Sequence, residues 1–156
     1  MASTVTSTKY GTPGPTSHIR IARPSRDFEA AKRFYVNGLG LSILWEASAD
    51  AVGGHALLMM GWPGAAWHPE LVLTQDIKAA PTEEDMLVIY LGGSIDSALI
   101  ENLLAAGGKR VTSSNPYWEQ WGVTIIDPDE YRLVLCRQRW NNVVEAPTIN
   151  DPSDRL

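Results

Sequence analysis

The sequence predicts an α+β protein built from two tandem βαβββ units that form a curved, cavity-enclosing mixed sheet. Three observations support this fold class. Segments with an apolar residue at every second position are interrupted by two segments of helical spacing. Clusters of glycine, proline and aspartate separate these segments. The same order of elements also occurs twice, before and after a polar stretch at residues 75–85.

The first unit covers about residues 17–76. Its first strand is predicted at 18–23 and is broken by Pro24. Apolar side chains at helical spacing predict a helix over 27–36, which Gly38 and Gly40 end. Three further strands are expected, with a turn at 50–54 and His68 in a loop; they span 41–46, 55–60 and 70–74.

The second unit covers about residues 85–138. A strand at 86–91 precedes a helix that contains Leu99 and Leu103 and ends at Gly107. A short strand at 109–112 follows. The unit closes with a hairpin whose arms, 122–126 and 132–136, are joined by a turn that begins Asp-Pro-Asp. Proline presets φ in such a turn, and aspartate accepts hydrogen bonds from backbone N–H groups.

The two units can be aligned by number. Placing Met86 under His18 is a shift of 68 (86 − 18), and the same shift puts Gly108 under Gly40. In the last strands, Val134 is placed under Val72, a shift of 62 (134 − 72). We therefore predict one domain over residues 17–138, preceded by a flexible arm at 1–16 and followed by a tail at 139–156.

Composition excludes several classes of function. The net charge of −5 gives no electrostatic reason to expect nucleic acid or an anionic membrane as a partner. The single cysteine, Cys136, permits neither an intrachain disulfide nor a cysteine-based zinc cluster, and a cytoplasmic location is expected. The sequence contains no run of 18 apolar residues, so no transmembrane helix is predicted.

One face of each sheet has to pack on its helix. Eight apolar strand residues are expected to do so: Ile19, Ile21, Leu71, Leu73, Leu87, Ile89, Leu133 and Leu135. The opposite, open face is then expected to line a cavity with few polar groups among apolar walls, as small-molecule sites usually are. The alternative is that this face is simply packed or solvated.

Three stretches carry a recognisable pattern. The first is His-Ile-Arg-Ile-Ala-Arg-Pro at 18–24, followed by Phe-Tyr-x-x-Gly-Leu-Gly-Leu at 34–41. The others are Pro-Gly-Ala-Ala-Trp-His-Pro-Glu-Leu at 63–71 and Gly-Val-x-x-x-Asp-Pro-Asp at 122–129. With these, residues 17–138 resemble the vicinal oxygen chelate (VOC) superfamily, which includes glyoxalase I, bleomycin-resistance proteins and extradiol dioxygenases. The resemblance implies paired βαβββ units and a homodimer.

The resemblance also implies where a metal would bind. Metal-using members take ligands from places that match His18, Val72, Met86 and Val134. Of these only His18 suits a hard or borderline metal, since thioether is soft and valine has no donor. We therefore expect no metal and no other cofactor. A shifted ligand set of His18, His68 and Glu70 is the alternative.

The remaining chemistry rests on a few polar groups. His18 is the candidate general base, with Arg20 or Tyr90 as the donor that stabilises an oxyanion. A His18 that only hydrogen-bonds the backbone is the alternative. The predicted substrate-binding residues come from both open faces and from the tryptophans near the strand ends: Glu70, Val72, Thr74, Met86, Val88, Trp118, Trp121, Arg132, Val134 and Cys136.

Three functions remain open. The first is a metal-independent isomerase, cyclase or lyase that acts on a carbonyl-bearing or aromatic organic metabolite. The second is a protein that sequesters such a molecule without catalysis, as bleomycin-resistance proteins do. The third is a metal-dependent enzyme of glyoxalase or dioxygenase type. The fold alone does not distinguish these three functions.

Overall fold

The computed structural model describes residues 11–143, apart from the side chain of Val52. Most of the predicted arm and tail therefore lies outside the described residues. Within this range, no helix is both long and apolar enough to cross a membrane.

The first half forms one four-stranded sheet. Its strands are β1 (Ile19–Ser25), β2 (Ser42–Ala47), β3 (Ala56–Gly61) and β4 (Trp67–Leu73). The spatial order is β1-β4-β3-β2, in which β1 and β4 are parallel and the other pairs are antiparallel. The long connection from β1 to the rest of the sheet contains the helix, as a parallel pair requires.

The helix of the first half begins where Asp27 caps it. The Asp27 carboxylate accepts a 3.0 Å hydrogen bond from the Ala30 N–H. Helix α1 (Phe28–Lys32) continues into a π-helical segment, Arg33–Gly38. The predicted helix at 27–36 is confirmed. It differs from the prediction in that its C-terminal part is π-helical. A one-turn helix, α2 (Ala49–Val52), stands where a turn was predicted.

The second half repeats the arrangement. Its elements are β5 (Met86–Tyr90), α3 (Ser97–Ala105), β6 (Lys109–Val111), α4 (Pro116–Trp121), β7 (Gly122–Ile126) and β8 (Arg132–Cys136). The strand order, β5-β8-β7-β6, is that of the first half, again with one parallel pair. Two βαβββ halves are thus confirmed, as are the arms of the predicted hairpin.

The element prediction was wrong at α4 and at the start of β4. Helix α4 was missed; its six residues are too few to show a helical period, although Asn115 caps it by accepting from the Tyr117 N–H. Strand β4 begins three residues earlier than predicted, at Trp67, so His68 lies on a strand and not in a loop. Pro69 lies within this strand, and proline weakens a sequence signal for a strand.

One hydrophobic core joins the halves. Phe34 and Leu58 of the first half are fully buried in the same cluster as Leu103 and Leu135 of the second. At Gly108 the elements approach so closely that an added Cβ would lie 2.7 Å from the Phe34 ring. No side chain fits there, so the contact between the halves depends on that glycine.

The predicted helix-facing residues divide into two groups. Leu71, Leu133 and Leu135 are buried, and Leu73, Leu87 and Ile89 pack against the core at its margin. Ile19 and Ile21 contradict the prediction, with exposed fractions of 59% and 45%. Both lie on β1, an edge strand of the first sheet, where one side of the strand has no neighbouring strand.

Candidate functional site

A pair of histidines lies on the open face of the first sheet. His18 precedes β1, and His68 on β4 pairs with Arg20 in the β1–β4 register. The His18 Nε2 and His68 Nδ1 atoms are 2.6 Å apart, a hydrogen-bonding distance. Such a bond requires one nitrogen to donate and the other to accept, so at least one of the two rings is neutral.

An ion pair lies beside the histidines. Arg20 Nη1 donates a 3.1 Å hydrogen bond to Glu70 Oε2. The Glu70 side chain is buried, whereas that of Arg20 is about half exposed at 53%. Arg20 therefore neutralises a buried carboxylate and still presents its remaining guanidinium N–H groups to solvent. We call His18, His68, Arg20 and Glu70 the first-sheet cluster.

The environment of His68 favours its neutral form. Burial lowers the pKa of His68, and the positive charges of His18 and Arg20 lower it further, while Glu70 opposes them. The other ring nitrogen, Nε2, is buried without a hydrogen-bond partner among the described residues. A neutral imidazole that is hydrogen-bonded to a second imidazole can accept a proton from a bound molecule.

The strand registers offer two ways to match Val134 with the first half. The shift of 68 puts Arg20 under Val88 (88 − 20), and because Arg20 pairs with His68 and Val88 with Val134, it matches His68 with Val134. The shift of 62 in the last strands matches Val134 with Val72, which pairs with Pro24 on β1. Of His68, Val72 and Val134, only His68 has a side-chain donor atom for a metal.

The donor set does not fit a metal centre of the family type. Within residues 11–143, no three His, Cys, Asp or Glu side chains are grouped so that they could hold a metal ion. The candidate ligand nitrogens of His18 and His68 are hydrogen-bonded to each other, and the Glu70 carboxylate is paired with Arg20. A protein zinc or iron site normally needs three or more protein ligands.

The open face of the second sheet is covered. Helix α4 contacts β7 and β8, and it ends at Gly122, whose N–H donates to the Trp118 carbonyl oxygen. Val134 and Cys136, predicted to line a cavity, are completely buried in this arrangement. Trp118 and Trp121, predicted on a loop, belong to α4 itself.

The structure does not join Tyr90 to the first-sheet cluster by a hydrogen bond. Its ring lies 5.9 Å from that of Trp140, centroid to centroid. Burial raises the pKa of Tyr90, with a smaller contribution from Cys136. Met86 and Val88, on the same strand and face, are half-buried.

The other predicted binding residues have different surroundings. Val72 and Thr74 border a shallow apolar cavity of about 180 Å³ with Ile77. The Thr74 hydroxyl accepts two backbone hydrogen bonds, from Asp76 and Ile77, and so shapes the following turn. Arg132 Nη2 forms an ion pair with Glu83 Oε1 at 3.2 Å.

Sequence reasoning missed two residues of these faces. His68 was excluded from the favoured site because its strand was predicted to begin later. Thr124 was not considered, although it lies two residues after Gly122 on the strand that was predicted correctly. Its alternation with Val123 and Ile125 was the signal that could have identified it.

Two family models match the chain, one in each half. The YycE-like N-terminal domain matches residues 19–72, and the YycE-like C-terminal domain matches residues 84–137. YycE of Bacillus subtilis (strain 168), an uncharacterised protein, is 36% identical over 126 residues, which is 79% of this chain and 89% of that protein. The crystal structure of B. subtilis YycE covers 81% of this chain and 93% of its own, with a TM-score of 0.72 and 33% identity.

Two more distant structures share the fold. Glyoxalase I of Leishmania major, at 14% identity, has a TM-score of 0.58 over 76% of this chain and 84% of its own. TnmS3, an antibiotic-binding protein from Streptomyces sp. CB03234, is 26% identical with a TM-score of 0.52, over 79% of this chain and 97% of its own. Both structures therefore share the fold of this chain, in agreement with the predicted fold class.

Proposed function

The chain belongs to the YycE-like family of the VOC superfamily, and on that premise we propose that it is a metal-independent enzyme of isomerase, cyclase or lyase type. Its substrate is a carbonyl-bearing or aromatic organic metabolite. The observation that carries this proposal is the 2.6 Å contact between His18 and His68 beside Arg20. It provides a neutral base, a partner for that base and a cation in one place.

The chemistry that suits this cluster is proton transfer next to a carbonyl group. One imidazole takes the proton from the carbon beside the carbonyl; the electron pair of that C–H bond forms a C=C bond, and the π pair of the C=O bond moves to the oxygen to give an enolate. Arg20 stabilises that negative charge, and the imidazolium returns the proton to another atom of the substrate. Burial and neighbouring cations keep His68 neutral, which suits the role of base.

Tyr90 is a second candidate donor to the enolate oxygen. Its hydroxyl has no hydrogen bond to His18 or Arg20 in the described structure, so it would meet the substrate from the second half. Replacing it separately tests this role: Tyr90→Phe should reduce turnover without abolishing it. An unchanged turnover would remove Tyr90 from the site.

The test begins with a tryptophan-fluorescence screen of aromatic and carbonyl metabolites against the purified protein. For each compound that binds, affinity and turnover are compared for wild type, His18→Ala and Arg20→Ala. We expect a large loss of turnover with little change in affinity for His18→Ala. His55→Ala is the matched control, since His55 is an exposed histidine outside the cluster. Turnover that survives loss of His18 would contradict its role as the base, and a wild type that turns over none of the compounds it binds would contradict the enzymatic role.

Sequestration is the second candidate, and a specific similarity favours it. TnmS3, at 26% identity over 97% of its chain, is an antibiotic-binding protein. If this chain has the same kind of function, a polycyclic or aromatic compound should bind tightly and be released chemically unchanged. Recovery of the compound intact after prolonged incubation would support sequestration, and accumulation of a product would exclude it.

We also propose that the protein acts as a homodimer in the cytoplasm. Ile43, Leu44 and Trp45 leave an apolar stretch exposed on β2, the edge strand of the first sheet, which supports an interface there. Light scattering of the full chain should give about twice the mass of one chain. A single-chain mass at micromolar concentration would contradict the dimer.

A further inference from the structure

A small apolar cavity lies where the parallel strands β1 and β4 of the first sheet end. Its volume is about 180 Å³, and it is lined by Ala22, Arg23, Pro24, Val72, Thr74 and Ile77. The surface of this cavity is almost wholly apolar. Contact between apolar surface and water is unfavourable, so an apolar group that covers this surface gains free energy.

The turn after β4 holds Ile77 at the cavity. The Thr74 hydroxyl accepts hydrogen bonds from the backbone N–H groups of Asp76 and Ile77, each 3.2 Å long. Thr74 itself is buried, so these bonds are shielded from solvent. Ile77 is therefore held in place by local hydrogen bonds although 60% of it is exposed. An apolar side chain that is already fixed in position can contact a ligand at little entropic cost.

The strand register places the cavity beside the first-sheet cluster. Val72 on β4 pairs with Pro24 on β1, and two residues earlier on both strands Glu70 pairs with Ala22. The Glu70 carboxylate in turn accepts the 3.1 Å hydrogen bond from Arg20. Arg20 and Ala22 face the same side of β1 and are about 7 Å apart along the strand. A small ketone can span that separation and contact both the cavity and the guanidinium.

The size and chemistry of the cavity indicate which group it accepts. An apolar cavity of roughly 150 Å³ binds benzene in another protein, so this one has room for a phenyl-sized group. Arg23, the charged residue of the lining, has its guanidinium 4.5 Å from the centre of the Tyr131 ring. The Thr74 hydroxyl is engaged in the turn. A polar group of a ligand would therefore find few partners in this cavity.

We propose that this cavity, which we call the apolar subsite, binds a phenyl-sized apolar group of the substrate while the carbonyl oxygen of the same molecule meets Arg20. The substrate is then a ketone or aldehyde that has its apolar group next to the carbonyl, and an aryl ketone is the simplest example. The inference rests on the proposed function for the carbonyl chemistry. It adds the part of the substrate that the first-sheet cluster does not select.

The test follows the methyl group of Ile77 by NMR. Protein labelled with ¹³C in its isoleucine methyl groups is titrated with acetophenone and with acetone, and the Ile77 signal is assigned with Ile77→Val. We expect a saturable shift of that signal. Acetophenone should bind about tenfold more tightly than acetone, because part of its phenyl ring leaves water.

Ile19 provides an internal control in the same spectra. It is 59% exposed, much like Ile77, but it is an odd number of residues from Ala22 on β1 and so faces the other side of the sheet. Its signal should not move with either ketone. If the Ile19 and Ile77 signals shift equally, the ketones bind without preference for the apolar subsite, and the proposal is wrong.

Two variants fill the apolar subsite. Val72→Phe and Ala22→Leu each add carbon atoms to its lining, and each should weaken acetophenone binding about tenfold while leaving acetone binding unchanged. Ala22 is exposed, so Ala22→Leu keeps the test available if Val72→Phe does not fold. Ala105→Leu is the matched control, since it makes the same change at an exposed alanine of α3. Circular dichroism confirms that each variant is folded.

Deuterium exchange separates the apolar subsite from the proposed chemistry. In D₂O, wild type should replace the methyl hydrogens of acetophenone with deuterium, because an enolate that forms reversibly takes its proton back from solvent-exchanged imidazole. His18→Ala should stop this exchange and leave the Ile77 shift intact. A saturable shift without exchange would support the subsite and contradict proton transfer beside it. No saturable shift, or a shift and affinity that Ala22→Leu and Val72→Phe both leave unchanged, would overturn the subsite.

Discussion

The hydroxyl of Tyr35 donates a 2.6 Å hydrogen bond to Asp127 Oδ2, and both residues are buried. Tyr35 belongs to the helical Phe-Tyr motif of the first half, and Asp127 opens the Asp-Pro-Asp turn of the second. The two sequence signatures therefore touch. Two further contacts join the same regions, since Arg26 bonds to Asp129 and the Arg23 guanidinium lies 4.5 Å from the centre of the Tyr131 ring.

We predict that Tyr35→Phe destabilises the protein by about 1–3 kcal/mol, because a buried carboxylate loses a hydrogen bond. Urea unfolding of the two proteins measures the difference. Tyr117→Phe, at an exposed tyrosine, is the matched control and should be neutral. A Tyr35→Phe variant as stable as wild type would show that water replaces the hydroxyl.

Asp127 should make stability depend on pH in an unusual direction. Burial raises the pKa of Asp127 above its ordinary value of 3.8, although hydrogen bonds from Tyr35 and Tyr131 oppose the change. The folded state thus binds this proton more tightly than the unfolded state does. The stability that this proton contributes is fully present below the pKa of Asp127 in the unfolded state, and it is lost as the pH rises through the pKa of Asp127 in the folded state.

The comparison that isolates this effect is wild type with Asp127→Asn, whose amide does not titrate. Relative to that variant, wild type should lose stability as the pH rises from 3 to 7. Unfolding free energies at several pH values give the difference. If the difference in unfolding free energy between the two proteins stayed constant from pH 3 to 7, the Asp127 carboxyl would have the same pKa in the folded and unfolded states.

Glu130 is expected to strain the hairpin turn. Its φ of 71° lies in the left-handed region, which glycine enters without steric cost and other residues do not. Glu130→Gly should therefore raise stability by about 1 kcal/mol. Glu130→Ala keeps the Cβ and should not give this gain, so equal effects of the two variants would argue against backbone strain.

Thr124→Val should stabilise the ligand-free protein by about 1 kcal/mol, because it removes a buried hydroxyl that has no partner. Thermal or urea unfolding measures this, with Thr112→Val at an exposed position as the control. A loss of stability would indicate that a bound water satisfies the hydroxyl.

His68 should titrate below its ordinary pKa of 6.5, because burial and the charges of His18 and Arg20 disfavour its protonated form. The unfolded ring takes up its proton near pH 6.5 and the folded ring only at lower pH. His68 therefore destabilises the fold as the pH falls through that interval. An NMR titration of the ring should show the midpoint moving upward in His18→Ala, and an unmoved midpoint would contradict the coupling.

Much of this molecule could be predicted from local patterns. The alternation of apolar and polar residues predicted strands β5, β7 and β8, and apolar residues at helical spacing after an aspartate cap predicted α1. Both patterns depend only on residues that are close in the chain. The repeat then gave the arrangement of the halves. The start of β4 was predicted too late because Pro69 weakens the sequence signal for a strand. For the same reason His68 was placed in a loop.

The sequence by itself determined the βαβββ repeat, the superfamily and the presence of a histidine and an arginine at the start of β1. Only the tertiary structure decided that His68 meets His18, that Tyr35 meets Asp127, and that Val134 is completely buried. The two side-chain contacts join residues that are 50 and 92 positions apart in the chain. They depend on strand register and on the packing of the two halves, which no local period in the chain encodes.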